Sequence, residues 1–224
     1  MQVVLFGATG MVGHGVLTAL LEDPAIAGVT AVSRRRSGRS HPKLHEVIHT
    51  DFADYRHLAS VFASAQATIC LGTPSTGKSE AEYTRITRDY AVAAATAGPG
   101  GLFVYVSANR ADSTSRTMWI RVKGRAEEAL SAVHPRVFLV RPGLIRPCRG
   151  ARPATRAQRI VYAVLTPFHP LLKRLFPRQV TTTDAIGQAV LRILHAPQTV
   201  PRALDNTLIN QLGESDSARR SARC

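Results

Sequence analysis

Three glycines at three-residue spacing, Gly7-x-x-Gly10-x-x-Gly13, constrain this chain more than any other feature. They stand between an apolar run, Val3-Val4-Leu5-Phe6, and a helical pattern over Met11–Glu22 that ends near Pro24. A chain that leaves a strand and enters a helix in so few residues must turn tightly, and glycine tolerates that turn. The helix start then aims unpaired N–H groups and the positive end of its dipole at whatever lies before it, which suits a pyrophosphate. A glycine at the third position also lets the helix pack closely on the strand. The rival is a glycine-rich turn in some other α/β fold. The order of strand, turn, helix and a second strand ending near residue 32 argues for the nucleotide-binding version, with Gly7, Thr9, Gly10, Met11, Val12 and Gly13 lining the cradle.

The end of the second strand chooses between cofactors. A chain that holds an unphosphorylated ribose usually places Asp or Glu there. This chain has Ser33-Arg34-Arg35-Arg36, with no carboxylate. A guanidinium suits a 2′-phosphate. Ser33, Arg34 and Arg35 therefore point to NADP(H) in preference to NAD(H), while Arg36 and Arg39 read as a solvated basic turn.

Short apolar runs alternate with helical patterns through residue 140, which predicts a parallel sheet with crossover helices. Strands are expected at 3–6, 29–32, 47–49, 67–71, 102–106 and 137–140, and helices at 11–22, 55–63, 80–97 and 117–133. The strands do not alternate apolar with polar residues, as befits a sheet covered on both faces. The fold class is thus α/β, a Rossmann-type doubly wound parallel sheet with a small C-terminal substrate-side segment. After Arg141, prolines at 142, 147, 153, 167, 170 and 177 break the pattern. Short helices are expected at 160–165 and 171–176, a better amphipathic helix at 183–195, and a late strand at 204–209. Residues 1–212 form one domain, with 144–200 as its variable lid, and 213–224 read as a disordered basic tail.

The chain resembles the short-chain dehydrogenase/reductase superfamily, in particular its atypical or extended, epimerase/dehydratase-like members. The resemblance runs from residue 2 to about residue 146. It rests on the glycine loop, Asp51-Phe52, Cys70-Leu71-Gly72, Tyr105-Val106-Ser107-Ala108, Arg121-Val122-Lys123-Gly124 and Arg141-Pro142-Gly143. It implies that Asp51 and Phe52 lie near the adenine, that Cys70, Leu71, Gly72 and Val106 line the ribose and diphosphate side, and that Pro142 and Gly143 border the nicotinamide. Cys70 itself reads as a small buried hydrophobe.

The superfamily's catalytic set is Ser, Tyr and Lys, with Tyr four residues before Lys so that both share a helix face. Ser107 matches the Ser and would hold the substrate oxygen. Lys123 matches the Lys and would grip the nicotinamide ribose. Four residues before Lys123 stands Trp119, whose indole N–H donates but exchanges no proton near neutral pH. Tyr105 lies inside a strand and does not take that place. Three explanations stand open. Water, Ser107 or a C-terminal group such as His169 or His195 supplies the proton. The protein binds NADP(H) without turnover, as a redox-sensing or regulatory module. Or Lys123 is a surface lysine. Trp119 is either a core anchor of its helix or an aromatic wall beside the nicotinamide.

The resemblance implies a small-molecule substrate reacting at a carbonyl or hydroxyl carbon, with Arg146, Arg149 and Arg152 as candidates for an anionic group on it. A homodimer through the helices at 80–97 and 117–133 would also be family-like. The net charge of +14 raises the alternative of nucleic acid or an anionic membrane as partner. The basic residues are scattered and accompany no helix-turn-helix, zinc finger or aromatic RNA-binding motif, so no specific nucleic acid is expected. No apolar run reaches the roughly 18 residues of a membrane span. Three cysteines lack both disulfide-framework and zinc spacing, so no metal is expected and the thiols read as reduced. With no signal-peptide pattern at the N-terminus, the expected location is cytoplasmic.

Overall fold

The computed structural model describes residues 1–98, 100–151 and 179–217. Its strands are β1 (Gln2–Phe6), β2 (Gly28–Ser33), β3 (Leu44–Ile48), β4 (Ala67–Leu71), β5 (Leu102–Val106), β6 (Val137–Val140), β7 (Leu144–Arg146), β8 (Val180–Thr182) and β9 (Ala203–Leu204). Its helices are α1 (Met11–Glu22), α2 (Ala59–Ser64), α3 (Glu80–Thr84), α4 (Tyr90–Ala97), α5 (Met118–Val133), α6 (Thr183–His195) and α7 (Asn206–Ser217).

Seven strands form one sheet in the order β3-β2-β1-β4-β5-β6-β9, and every pairing is parallel. Each strand runs the same way, so all the strand-to-helix turns gather at one edge. Successive side chains of a strand point to opposite faces. Val3 and Leu5 pack with Val16, Leu17, Ile186 and Val190 of α1 and α6. Val4 and Phe6 pack with Phe62, Ala91, Ala94 and Leu130 of α2, α4 and α5. Both faces are dry, which is why the strands carry no polar alternation.

The expected helix at 80–97 is continuous in extent but not in type. The π-helical turn Arg85–Asp89 joins α3 to α4. The Ser79 hydroxyl caps its start by accepting from the Glu82 N–H at 3.2 Å.

Downstream the structure departs from the sequence reading in three places. The late strand is only β9, two residues long. Asp205 Oδ1 accepts from the Leu208 N–H at 2.8 Å, which starts α7 where a strand was expected to continue. That helix runs through Ser217, beyond the expected domain boundary at 212. Finally, β7 and β8 form a small parallel ladder that the broken pattern after Arg141 had hidden. The expected helices at 160–165 and 171–176, together with Arg152 and His169, lie outside the described residues.

Candidate functional site

β1 is the point where strand order reverses, with β2 and β3 on one side and β4, β5 and β6 on the other. Open parallel sheets bind ligands at such a switch point, beyond the carboxyl ends of the strands. The turn there is built by its glycines. Gly7 has φ +77°, a left-handed conformation that a side chain strains. The Gly10 N–H closes the turn on Gly7 O at 2.9 Å. A Cβ on Gly13 would lie 1.9 Å from the same oxygen, so helix and turn touch backbone to backbone. No side chain caps α1, and its first turn carries no acid. The amides of the first turn therefore face the crevice with their positive dipole end, and a diphosphate fits them.

At the end of β2, Ser33 is buried and donates to Arg35 O at 2.6 Å, which shapes the turn. Arg36 approaches Glu46 at 3.9 Å, and Arg39 donates to Thr18 Oγ1 at 2.8 Å. Arg34 and Arg35 are exposed and form no ion pair among the described residues. Asp51 accepts from the Ala53 N–H at 3.1 Å, so its carboxylate serves the turn after β3. Phe52 is half-buried, with ring centroids 6.3 Å from Phe6 and 5.8 Å from Tyr90.

The ends of β4 and β5 meet α5 at a buried polar centre. Burial pushes the Cys70 thiol up to about 12, so it stays protonated and inert. The Lys123 ammonium donates to Val106 O at 2.9 Å and to Tyr105 Oη at 3.2 Å, and lies 4.7 Å from the Tyr105 ring centroid. Desolvation depresses its pKa to about 8, against the opposing pull of Cys70 and Glu127. Only 5% of the residue is exposed, so Lys123 is not a surface lysine. Gly72 passes directly over its tip. One turn further along α5, the buried Glu127 carboxylate pairs with Arg141 at the end of β6, accepting from Nε at 3.0 Å.

Ser107 follows β5 and is held by its N–H to Val140 O at 2.8 Å. Its buried hydroxyl has no hydrogen-bond partner among the described residues. A buried hydroxyl without a protein partner is costly, and it is free to bond a group from outside the chain. Pro142 O accepts from the Asn109 N–H at 2.8 Å, and the Gly143 N–H donates to Asn206 Oδ1 at 2.7 Å. Asn206 also donates to Val180 O at 3.1 Å, tying the Pro142-Gly143 turn to β8.

Three expectations change. Trp119 is 38% exposed and has no ring partner among the described residues, so it is not a core anchor. Arg149 pairs with Glu22 at 2.8 Å and Asp184 at 3.0 Å, so its charge is engaged within the fold. His195 pairs with Asp23 at 3.0 Å, just beyond the end of α1 and at the opposite edge of the sheet from the glycine turn. That distance rules it out as a proton donor. The Tyr105 hydroxyl is a further member of the site that sequence reasoning set aside. Its only sequence signal was strand parity, since Phe103 and Tyr105 must share a face.

Sheet order, glycine turn and buried lysine together define an α/β protein with the short-chain dehydrogenase/reductase fold. Residues 3–110 match the model of the NAD dependent epimerase/dehydratase family. The chain is 32% identical over 208 residues to "Protein fmp52, mitochondrial" of Emericella nidulans, covering 85% of each chain. It is 34% identical over 188 residues to the protein of the same name in Aspergillus fumigatus, covering 77% of this chain and 79% of that one. Among solved structures, an oxidoreductase of the short chain dehydrogenase/reductase family from Burkholderia thailandensis superposes with TM-score 0.65 at 19% identity, covering 92% of both chains. A superfamily protein from Agrobacterium tumefaciens with bound NAD gives TM-score 0.66 at 15% identity, over 99% of this chain and 83% of that one. The chain belongs to the family of these fmp52 proteins. The relatives' names overturn the expectation of a cytoplasmic location. Among the described residues no helix is long and apolar enough to cross a membrane.

Proposed function

We propose that this chain is an NADP(H)-binding oxidoreductase or epimerase-like enzyme acting at a carbonyl or hydroxyl carbon of a small organic molecule. The observation that carries the reading is the pair of exposed cations, Arg34 and Arg35, beside an uncapped glycine cradle and with no carboxylate at the end of β2. In this reading the turn from Gly7 to Gly13, with Thr9, Met11 and Val12, holds the diphosphate through main-chain amides. Ser33 shapes the loop that presents Arg34 and Arg35 to the 2′-phosphate. Asp51 and Phe52 border the adenine, and Cys70, Leu71, Gly72 and Val106 line the ribose side. Pro142 and Gly143 border the nicotinamide.

The bound nucleotide supplies a hydride donor or acceptor. Ser107 Oγ, unpartnered among the described residues, holds the substrate oxygen. Lys123 grips the nicotinamide ribose. Trp119 forms an aromatic wall and exchanges no proton, so the substrate's proton moves through Ser107 or water that reaches it. A thermal-shift comparison of NADPH, NADP, NADH and NAD tests the cofactor, because a ligand that binds only the native state raises its melting temperature. The phosphorylated pair is expected to stabilise more. Equal shifts for all four, or none, would overturn the reading.

The exposed Trp119 in the tyrosine's place favours a second reading, an NADP(H)-binding regulator without turnover. Trp119→Tyr, screened for NADPH oxidation against a panel of carbonyl compounds, separates them. Activity only in the variant supports the regulator, and activity in both supports the enzyme. The relatives' names support a mitochondrial location, which cell fractionation of a tagged chain would test. Homodimerisation through the helices at 80–97 and 117–133 belongs to the same reading and is tested by light scattering.

A further inference from the structure

The proposed reaction leaves unused a fully buried phenol in contact with Lys123. β5 sends Tyr105 to the face covered by α4 and α5, where the side chain is 1% exposed. Its hydroxyl stands between two partners. It donates to Thr87 O at 3.1 Å and accepts from Lys123 Nζ at 3.2 Å. Thr87 lies in the π-helical turn Arg85–Asp89. A π turn displaces carbonyls from the α-helical ladder, and such turns gather at functional sites. With its only proton committed to Thr87 O, the phenol turns its lone pairs toward the ammonium and acts there as an acceptor.

Other groups around the ammonium do not take over this task. Cys70 faces it from β4, and its thiol is kept protonated by burial. Tyr83 of α3 lies near Tyr105, its phenol also held neutral by burial. Glu127, on α5 itself, is engaged by Arg141 of β6. Its acceptors among the described residues are Tyr105 Oη and Val106 O, and the Tyr105 ring face closes a third side.

We infer that Tyr105, held by the π turn, is the positioning residue that fixes Lys123 for its grip on the nicotinamide ribose, serving as the lysine's hydroxyl partner where Trp119 has replaced the tyrosine of α5. This rests on the NADP(H) reading above. Tyr105 is too deep to touch substrate and acts through Lys123 alone.

The test is Tyr105→Phe, which keeps the ring and removes the acceptor. Lysine-selective isotopic labelling lets the Lys123 amine be titrated by NMR, with Lys123→Met identifying its signal among those of Lys43, Lys78 and Lys173. Losing a hydrogen bond to a charged group disfavours the ammonium, so the titration midpoint is expected to fall by about one pH unit. NADPH affinity measured at pH 9, above both midpoints, is expected to fall about tenfold, because the protonated fraction of the lysine falls by that factor there. A merely structural tyrosine would lower the melting temperature and leave the midpoint in place. An unmoved midpoint overturns the inference, as does a moved midpoint with wild-type NADPH affinity. If NADPH stabilises neither wild type nor variant, the cofactor reading fails, and the midpoint alone decides whether Tyr105 holds the lysine. Should Tyr105→Phe fail to fold, 3-fluorotyrosine placed at position 105 keeps the shape, weakens the acceptor and predicts the same direction of shift.

Discussion

A Cβ built on Gly72 would lie 2.4 Å from Lys123 Nζ, so the chain leaving β4 and the ammonium carried by α5 compete for one space. The obstructing atom is the far end of a flexible side chain, not backbone. Gly72→Ala is therefore expected to displace the lysine and leave the sheet intact. Chemical denaturation should show a loss below about 1 kcal/mol. Calorimetry should show NADPH affinity reduced at least about tenfold.

Gly13→Ala meets a different obstacle. The new methyl would lie 1.9 Å from Gly7 O and 2.9 Å from Ala8 Cα, both backbone atoms. Helix α1 and the turn must move apart, at a cost of about 3 kcal/mol. The variant is expected to melt lower and to show no thermal stabilisation by any pyridine nucleotide.

Lys123 also predicts a pH dependence of stability. Its folded pKa, about 8, lies below the ordinary lysine value of 10.5. Between those values the unfolded chain binds more protons than the folded one, so stability rises with pH through that window. Below about pH 8 the amine is protonated in both states and the full cost of burying its charge is present. Unfolding measured from pH 7 to 9.5 should show wild type gaining on Lys123→Met, by about 3 kcal/mol at most. A difference that stays flat would show that the lysine titrates normally.

Arg34 and Arg35 are expected to discriminate the two pyridine nucleotides. Replacing both with Ala removes charge-assisted hydrogen bonds to a 2′-phosphate, together worth about 1.5–3 kcal/mol at this exposed turn. NADPH affinity should fall about 10–100-fold while NADH affinity stays within about twofold. Equal losses for both nucleotides would place these arginines on the diphosphate or on no ligand at all.

Much of the framework was legible because it is local. The expected bounds of α1, β4, β5, β6 and α6 coincide with Met11–Glu22, Ala67–Leu71, Leu102–Val106, Val137–Val140 and Thr183–His195. Apolar periodicity and glycine or proline punctuation act within a few residues, and no distant partner is needed to interpret them. The mistakes have equally local causes. The strand expected at 204–209 overlooked Asp205 as a helix-starting acceptor, and β7 with β8 depends on a pairing between segments some 35 residues apart. His195 was a chemically suitable residue with no address until its ion pair to Asp23 placed it at the far edge of the sheet.

By itself, the amino-acid order determined a turn that only glycines permit, the strands and helices around it, the basic end of β2 and the tryptophan four places before Lys123. Each of these is set by backbone sterics or side-chain chemistry acting along the chain. Only the tertiary structure decided that Lys123 is buried against Tyr105, that the Ser107 hydroxyl has no partner among the described residues and that Trp119 is partly exposed. Those facts depend on which sheet face α5 covers and how deep each residue sits. Burial and the resulting loss of solvation arise from residues brought together across the fold, and no linear pattern encodes that distance.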